Sequence, residues 1–258
     1  TTKGVPRCIR GPYHRIMTQA LVAIVRKSGS DELAKIRVWK LFILLPRLLL
    51  HTARRGGEAG ERELRKRIVQ FDEGRWVELL VQAHEQARVT AAPPRGEEAS
   101  RIRMAVKLVK EGELSHAARM LYASAHAPGN QATLDELRHP DLRPQDPQED
   151  LPDNLGQFVP DQPIELDKQV FGDVLRESRR GMSAGISCNR NEFMKPCLED
   201  DIAFNALYEV SQLLARADVP HEIVEALRVS ALTALLKPNR RIRGISAGDT
   251  FRRLVTKC

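Results

Sequence analysis

Apolar and polar positions recur along most of the chain with the period of an α-helix. In residues 12–27, Ile16, Ala20, Val22 and Ala23 fall on one side, the spacing of a helix with one buried face. Ser28-Gly29-Ser30 interrupts it. "DELAKIRVWKLFILLPRLLL" at 31–50 predicts a second helix, with acids at its start where the helix dipole favours them. Its run "LFILLPRLLL" at 41–50 is too short to span a bilayer and is broken by Pro46 and Arg47, so it reads as a buried, kinked helix. "RRGGEAG" at 54–60 reads as a flexible turn. Residues 61–89 are again helical, with Leu64, Ile68, Phe71, Trp76, Leu79 and Leu80 apolar and Asp72-Glu73-Gly74 breaking the run.

"TAAPPRGE" at 90–97 reads as a linker, followed by a helix pair at 98–110 and 113–123 around Gly112. Met104, Val106, Leu108 and Val109 are expected to face its core. Thr133 with Glu136 fits a capping box for a short helix. Residues 138–163 then hold six prolines and many acids, which predicts an extended, poorly ordered linker because proline removes donors and blocks helix. The domain boundary is placed there: a helical region at 1–137, the Pro/acid-rich linker at 138–163, and a third segment at 164–258. Helices resume at 165–178, 191–199, 201–217 and 220–229. "ALTALLK" (231–237), "PNRR" (238–241) and "IRGIS" (242–246) read as strand, turn and strand, and Asp249 is placed to N-cap a last helix in "TFRRLVTKC". The fold class expected is mainly α with one short β-hairpin.

Composition sharpens this picture. The 258 residues suit one large domain or two small ones, and aromatics at 5% argue against a β-sandwich or barrel. The net charge of +7 matters less than its distribution. Residues 1–27 hold six bases and no acid, residues 237–257 hold seven bases and one acid, and residues 135–173 hold eleven acids against three bases. Basic ends and an acidic middle fit a polyanion partner such as nucleic acid; solvated helix faces with an acidic linker fit equally well. Cys8, Cys188, Cys197 and Cys258 form no C-x-x-C pair, which predicts reduced thiols and an intracellular, nuclear or cytoplasmic, protein with no zinc site. No signal peptide is recognisable.

Candidate chemistry is sparse. "GMSAG" at 181–185 satisfies G-x-S-x-G, but that motif works as a strand-to-helix turn, and here it follows the charged helical "DVLRESRR". A Ser183 nucleophile is therefore disfavoured, and a fluorophosphonate probe would test it. "LEDD" at 198–201 resembles the paired carboxylates of polymerase palms, yet it lacks their aromatic and reads more simply as the start of a helix. The basic hairpin is the strongest signal. Lys237 ends one strand and Arg243 lies early in the next, so both can project to one side and clamp a triphosphate or a nucleic-acid backbone. The plainer reading is a solvated basic turn.

"ALRVSALTALLKPNRRIRGISAGDTFRRLVTK" resembles the start of the reverse transcriptase domain of non-LTR-type retroelements, which runs from a helix through a Lys-Pro turn into an Arg-containing strand and then "RRLV". "WKLFILLPRLLL", "FDEGRWVELL", "KLVKEGELSHAARMLYASAHAPGNQATLDELRHPDLRP" and "GMSAGISC" are similar to the helical region before the fingers, so the resemblance extends over residues 36 to 258. In "SAGIS" only Gly185 is the family's residue, with Ser187 a near match; Ser183, Ala184 and Ile186 depart from it. The resemblance implies triphosphate contacts from Lys237 and Arg243, and nucleic-acid contacts from Arg240, Arg241, Arg252, Arg253 and Lys257. It also implies RNA or DNA as partner, an incoming nucleotide in the complete polymerase, and no membrane. The metal-binding aspartates of such polymerases follow the fingers, so this chain is expected to be a fragment that does not polymerise DNA. Mg2+ would belong to the complete polymerase, and no cofactor is expected in this chain. The alternative expectation is a stand-alone basic α-helical module that binds nucleic acid or protein.

Overall fold

A computed structural model describes residues 4–51, 57–90, 97–110, 112, 114–122, 125–139, 141, 161–179 and 181–258. The 138–163 linker, the 90–97 linker and the start of the 54–60 turn lie largely outside the described residues. Among those described, the chain is mainly helical with one two-stranded antiparallel hairpin near its end. It divides into two compact units: unit 1 is Thr1–Ala87, Gln157–Ala231 and Ala247–Cys258, and unit 2 is Arg88–Gly156 and Leu232–Ser246.

Unit 1 is built on α1 (Arg10–Lys27), α2 (Glu32–Leu49), α3 (Gly57–Asp72) and α4 (Trp76–Thr90). α1 buries Tyr13, Ile16, Met17, Ala20, Leu21 and Ile24, a three-and-four spacing that lines one face. α2 is N-capped by Asp31, whose carboxylate accepts from the Ala34 N–H at 3.0 Å. Pro46 is buried in its last turn, and the helix ends three residues later. Later segments complete the core. Unit 1 continues with α8 (Lys168–Glu177), α9 (Asn191–Met194), α10 (Asp201–Ala215), α11 (His221–Arg228) and α12 (Thr250–Val255), with α5 to α7 falling in unit 2. α1 lies against α2 and α10, and α12 against α8 and α10. The helix expected at 191–199 is α9 followed by a 3-10 turn at Lys195–Glu199, because Pro196 has no N–H to continue an α-helix. The acids of "LEDD" do start a helix: Asp200 N-caps α10, accepting from Ile202 and Ala203.

Unit 2 holds α5 (Glu97–Lys110), α6 (Leu114–Tyr122), α7 (Gln131–Arg138) and most of the hairpin, β1 (Ala231–Leu236) and β2 (Ile242–Ala247). α5 and α6 pack together through Ala105, Leu108 and Ala117. Here the expected face is corrected. Leu108 is buried, but Met104, Val106 and Val109 are exposed, because the small side chain of Ala105, a turn before Leu108, lets α6 approach that side. The capping box is corrected too. Asn130, not Thr133, caps α7 by accepting from the Thr133 N–H, and Glu136 is drawn away to accept from the Ile242 N–H at 2.7 Å.

Candidate nucleic-acid interface

The hairpin forms because its turn residues dictate it. Arg240 N–H donates to Lys237 C=O, and Lys237 N–H donates to Arg241 C=O. This is a type I turn with Pro238 and Asn239 at its centre, followed by a residue in the left-handed region. That residue is Arg240, with φ +64°. The Asn239 side chain accepts from the Arg241 N–H at 3.2 Å and stiffens the bend.

The register decides which side chains share a face. Lys237 lies across from Arg241, and the two-residue alternation of β2 carries Arg243 to the same side. The opposite side carries Gly244, whose added Cβ would press on Leu137 and Leu232 at 3.2 and 3.3 Å. α7 therefore covers one face of the hairpin and leaves the cationic face open. Lys237, Arg240, Arg241 and Arg243 are all exposed. Among the described residues no carboxylate forms an ion pair with any of them. The outer edge of β1 pairs with residues 125–127: Ala127 N–H donates to Ala234 C=O and Leu236 N–H to Ala125 C=O. Pairing on both edges gives β1 more support than a two-stranded hairpin has alone.

The cations of α12 are placed differently. Phe251 drives this helix into unit 1, with its ring 5.3 Å from Phe42 and 6.4 Å from Trp39 between centroids. Asp249 caps the helix by accepting from the Phe251 N–H, and its other oxygen accepts from the Ser187 hydroxyl. Gly185 lies so close that a Cβ there would stand 2.6 Å from the Asp249 Cα. The loop that holds Gly185 and Ser187 is thus seated on the start of α12. Arg47 adds two donors to the Ile186 carbonyl. Arg253 points inward, donating to the Ser183 carbonyl and to Thr250 Oγ1. Arg252 lies over Gly248, and Lys257 is exposed.

Of the seven cations expected to bind nucleotide or nucleic acid, the structure gathers Lys237, Arg240, Arg241 and Arg243 in the hairpin. It sets Arg252, Arg253 and Lys257 on or just after α12 in the other unit. Asn191, which lines a cleft beside Arg253, had no signal in the sequence: "CNRNEF" fits no pattern. Ser183 sits in an exposed loop after α8, with its hydroxyl turned to its neighbour's carbonyl. That is not the strand-to-helix turn a nucleophile elbow requires. Among the described residues no three His, Cys, Asp or Glu side chains gather to hold a metal, and Asp200 is engaged as a helix cap. Among the same residues no helix is long and apolar enough to cross a membrane. No family model, curated protein or solved structure matches the chain.

Proposed function

We propose that this chain is the N-terminal helical region and the start of the fingers of a retroelement reverse transcriptase, and that it binds the phosphate backbone of RNA or DNA through its hairpin. One observation carries the binding: Lys237, Arg241 and Arg243 line an open face of a stiff hairpin, Arg240 stands at its tip, and no acid among the described residues neutralises them. Guanidiniums offer forked donors that match phosphate oxygens, and a rigid mount lowers the ordering cost of each contact. The same face, in a complete polymerase, would give Lys237 and Arg243 to the triphosphate of an incoming nucleotide. The order of the phrases from residue 36 to residue 258 supports that assignment.

Backbone contacts release counterions, so affinity falls with salt at a slope of about −0.7 to −0.9 per phosphate neutralised. Labelled single-stranded RNA and DNA, titrated over a salt series, should bind with such a slope. The triple substitution Arg240→Ala, Arg241→Ala, Arg243→Ala should weaken binding and flatten the slope by about 2 to 3 units. Salt-independent binding, or a slope the triple variant leaves unchanged, defeats the proposal.

A further inference from the structure

We propose that unit 1 carries a second, separate site: a pocket for a small oxyanion, of the phosphate class, built by Asn191, Thr250, Arg253 and Lys257. These residues line a cleft of about 50 Å³ beneath α12. A water needs roughly 10–15 Å³ of such space, so the cleft has room for a small tetrahedral oxyanion. Its remaining walls are Ser178 and three apolar side chains, Val174, Met182 and Leu254. Among the described residues no carboxylate lines it, so two cations face the cleft without a counter-charge from those residues.

One buried polar group there lacks a partner: the Arg253 Nε is buried and has no acceptor among the described residues. The Asn191 side chain, 7% exposed, lines the same cleft. Buried donors in folded proteins are nearly always satisfied, so this orphan marks a place where a bound group can complete the bonding. The donor set fits an anion. Thr250 Oγ1 accepts from Arg253 Nη2 at 3.1 Å, which leaves its hydroxyl proton free to donate outward. The Ser183 carbonyl and Thr250 hold the guanidinium in place, so its fork is set before any ligand arrives. Ser178 is committed elsewhere, donating to the Leu175 carbonyl at 2.7 Å. The site takes the oxyanion itself, which inorganic phosphate or a phosphodiester of nucleic acid can both present. It stands apart from the hairpin reading, since all its residues belong to unit 1.

The test is calorimetric titration of the full chain with inorganic phosphate, against sodium chloride of equal ionic strength. Saturable binding is expected, weakened about tenfold or more by Asn191→Leu and by Lys257→Ala, as loss of a charge-assisted hydrogen bond requires. Arg253→Lys keeps the charge, loses the fork and should weaken binding as well. Asn191→Leu and Lys257→Ala carry the test if changes at Arg253 disturb folding. A response no different from chloride, or binding that neither Asn191→Leu nor Lys257→Ala alters, overturns the site. Repeating the titration in the hairpin triple variant separates the two proposals, because phosphate binding should persist there. In that variant a short single-stranded oligonucleotide that displaces phosphate assigns the site to a phosphodiester; failure to displace assigns it to the free ion.

Discussion

Arg240 holds φ near +64°, a region that costs an L-residue with a bulky side chain on the order of 1 kcal/mol and that glycine enters freely. The turn type demands that conformation whatever residue stands there. A cation kept at a strained position points to a role for its charge. Arg240→Gly should therefore raise stability by about 0.5–1 kcal/mol while flattening the salt dependence of nucleic-acid binding by about one unit. Chemical denaturation and a salt series check the two halves separately. A loss of stability would mean that the turn is not of this type. The positions around it were readable because Pro and Asn each have a fixed use in a type I turn. Asn191 was unreadable for the opposite reason: a lone amide has no spacing to give it away, and only the folded chain brings it beside Arg253.

Elements were legible where a periodic face met a single buried surface. α1 and α2 appeared in the sequence close to their observed limits, since six and more apolar residues on each share one stripe. α5 was legible as a helix but not in its facing, because its apolar residues surround it and only the partner helix selects Ala105 and Leu108. The junction of α2 and α3 was not legible at all. There, Arg67, 1% exposed, donates to the His51 carbonyl and to Glu63. Burial first, and then the Arg67 charge, push the His51 imidazole down to about 4. Its Nδ1 lies 2.9 Å from the Arg47 carbonyl, so the neutral ring donates from that nitrogen. An unfolded histidine takes up its proton near pH 6.5, roughly, whereas the folded ring waits until about 4. In that window the unfolded state binds more protons, so this contribution to stability is complete above the window and is lost as pH falls through it. The urea midpoint of the wild-type chain should fall from pH 7 to pH 5, and His51→Gln should show a smaller fall. Equal falls would show that His51 is not the group responsible.

At the scale of the whole molecule, charge was legible as an inventory and only partly as a surface. The hairpin cations stand free, as their density suggested, but Arg253 is turned into its own unit by the Ser183 carbonyl. The partner of the hairpin was hidden, because three residues at 125–127 carry no strand pattern of their own. Its support therefore comes from far back in the chain: Ala125 and Ala127 on one edge, Glu136 at Ile242, and Leu137 beneath Gly244. A peptide of residues 164–258 lacks all of these, and a two-stranded hairpin alone is marginal in water. Hydrogen exchange should find the Leu236 and Ile242 amides protected in the full chain and open in the peptide; equal protection would make the hairpin self-sufficient. The pairing of His126 with Leu235 also has a temporal side. Closing so long a loop is slow, since its entropy must be surrendered before the contact rewards it. During synthesis, the first segment of unit 2, Arg88–Gly156, leaves the ribosome and waits for residues 157–231 of unit 1 to be made before the hairpin strands arrive. A nascent chain stalled ahead of residue 232 would hold the edge at 125–127 unpaired, and that interval is when a chaperone or a second nascent chain would find it.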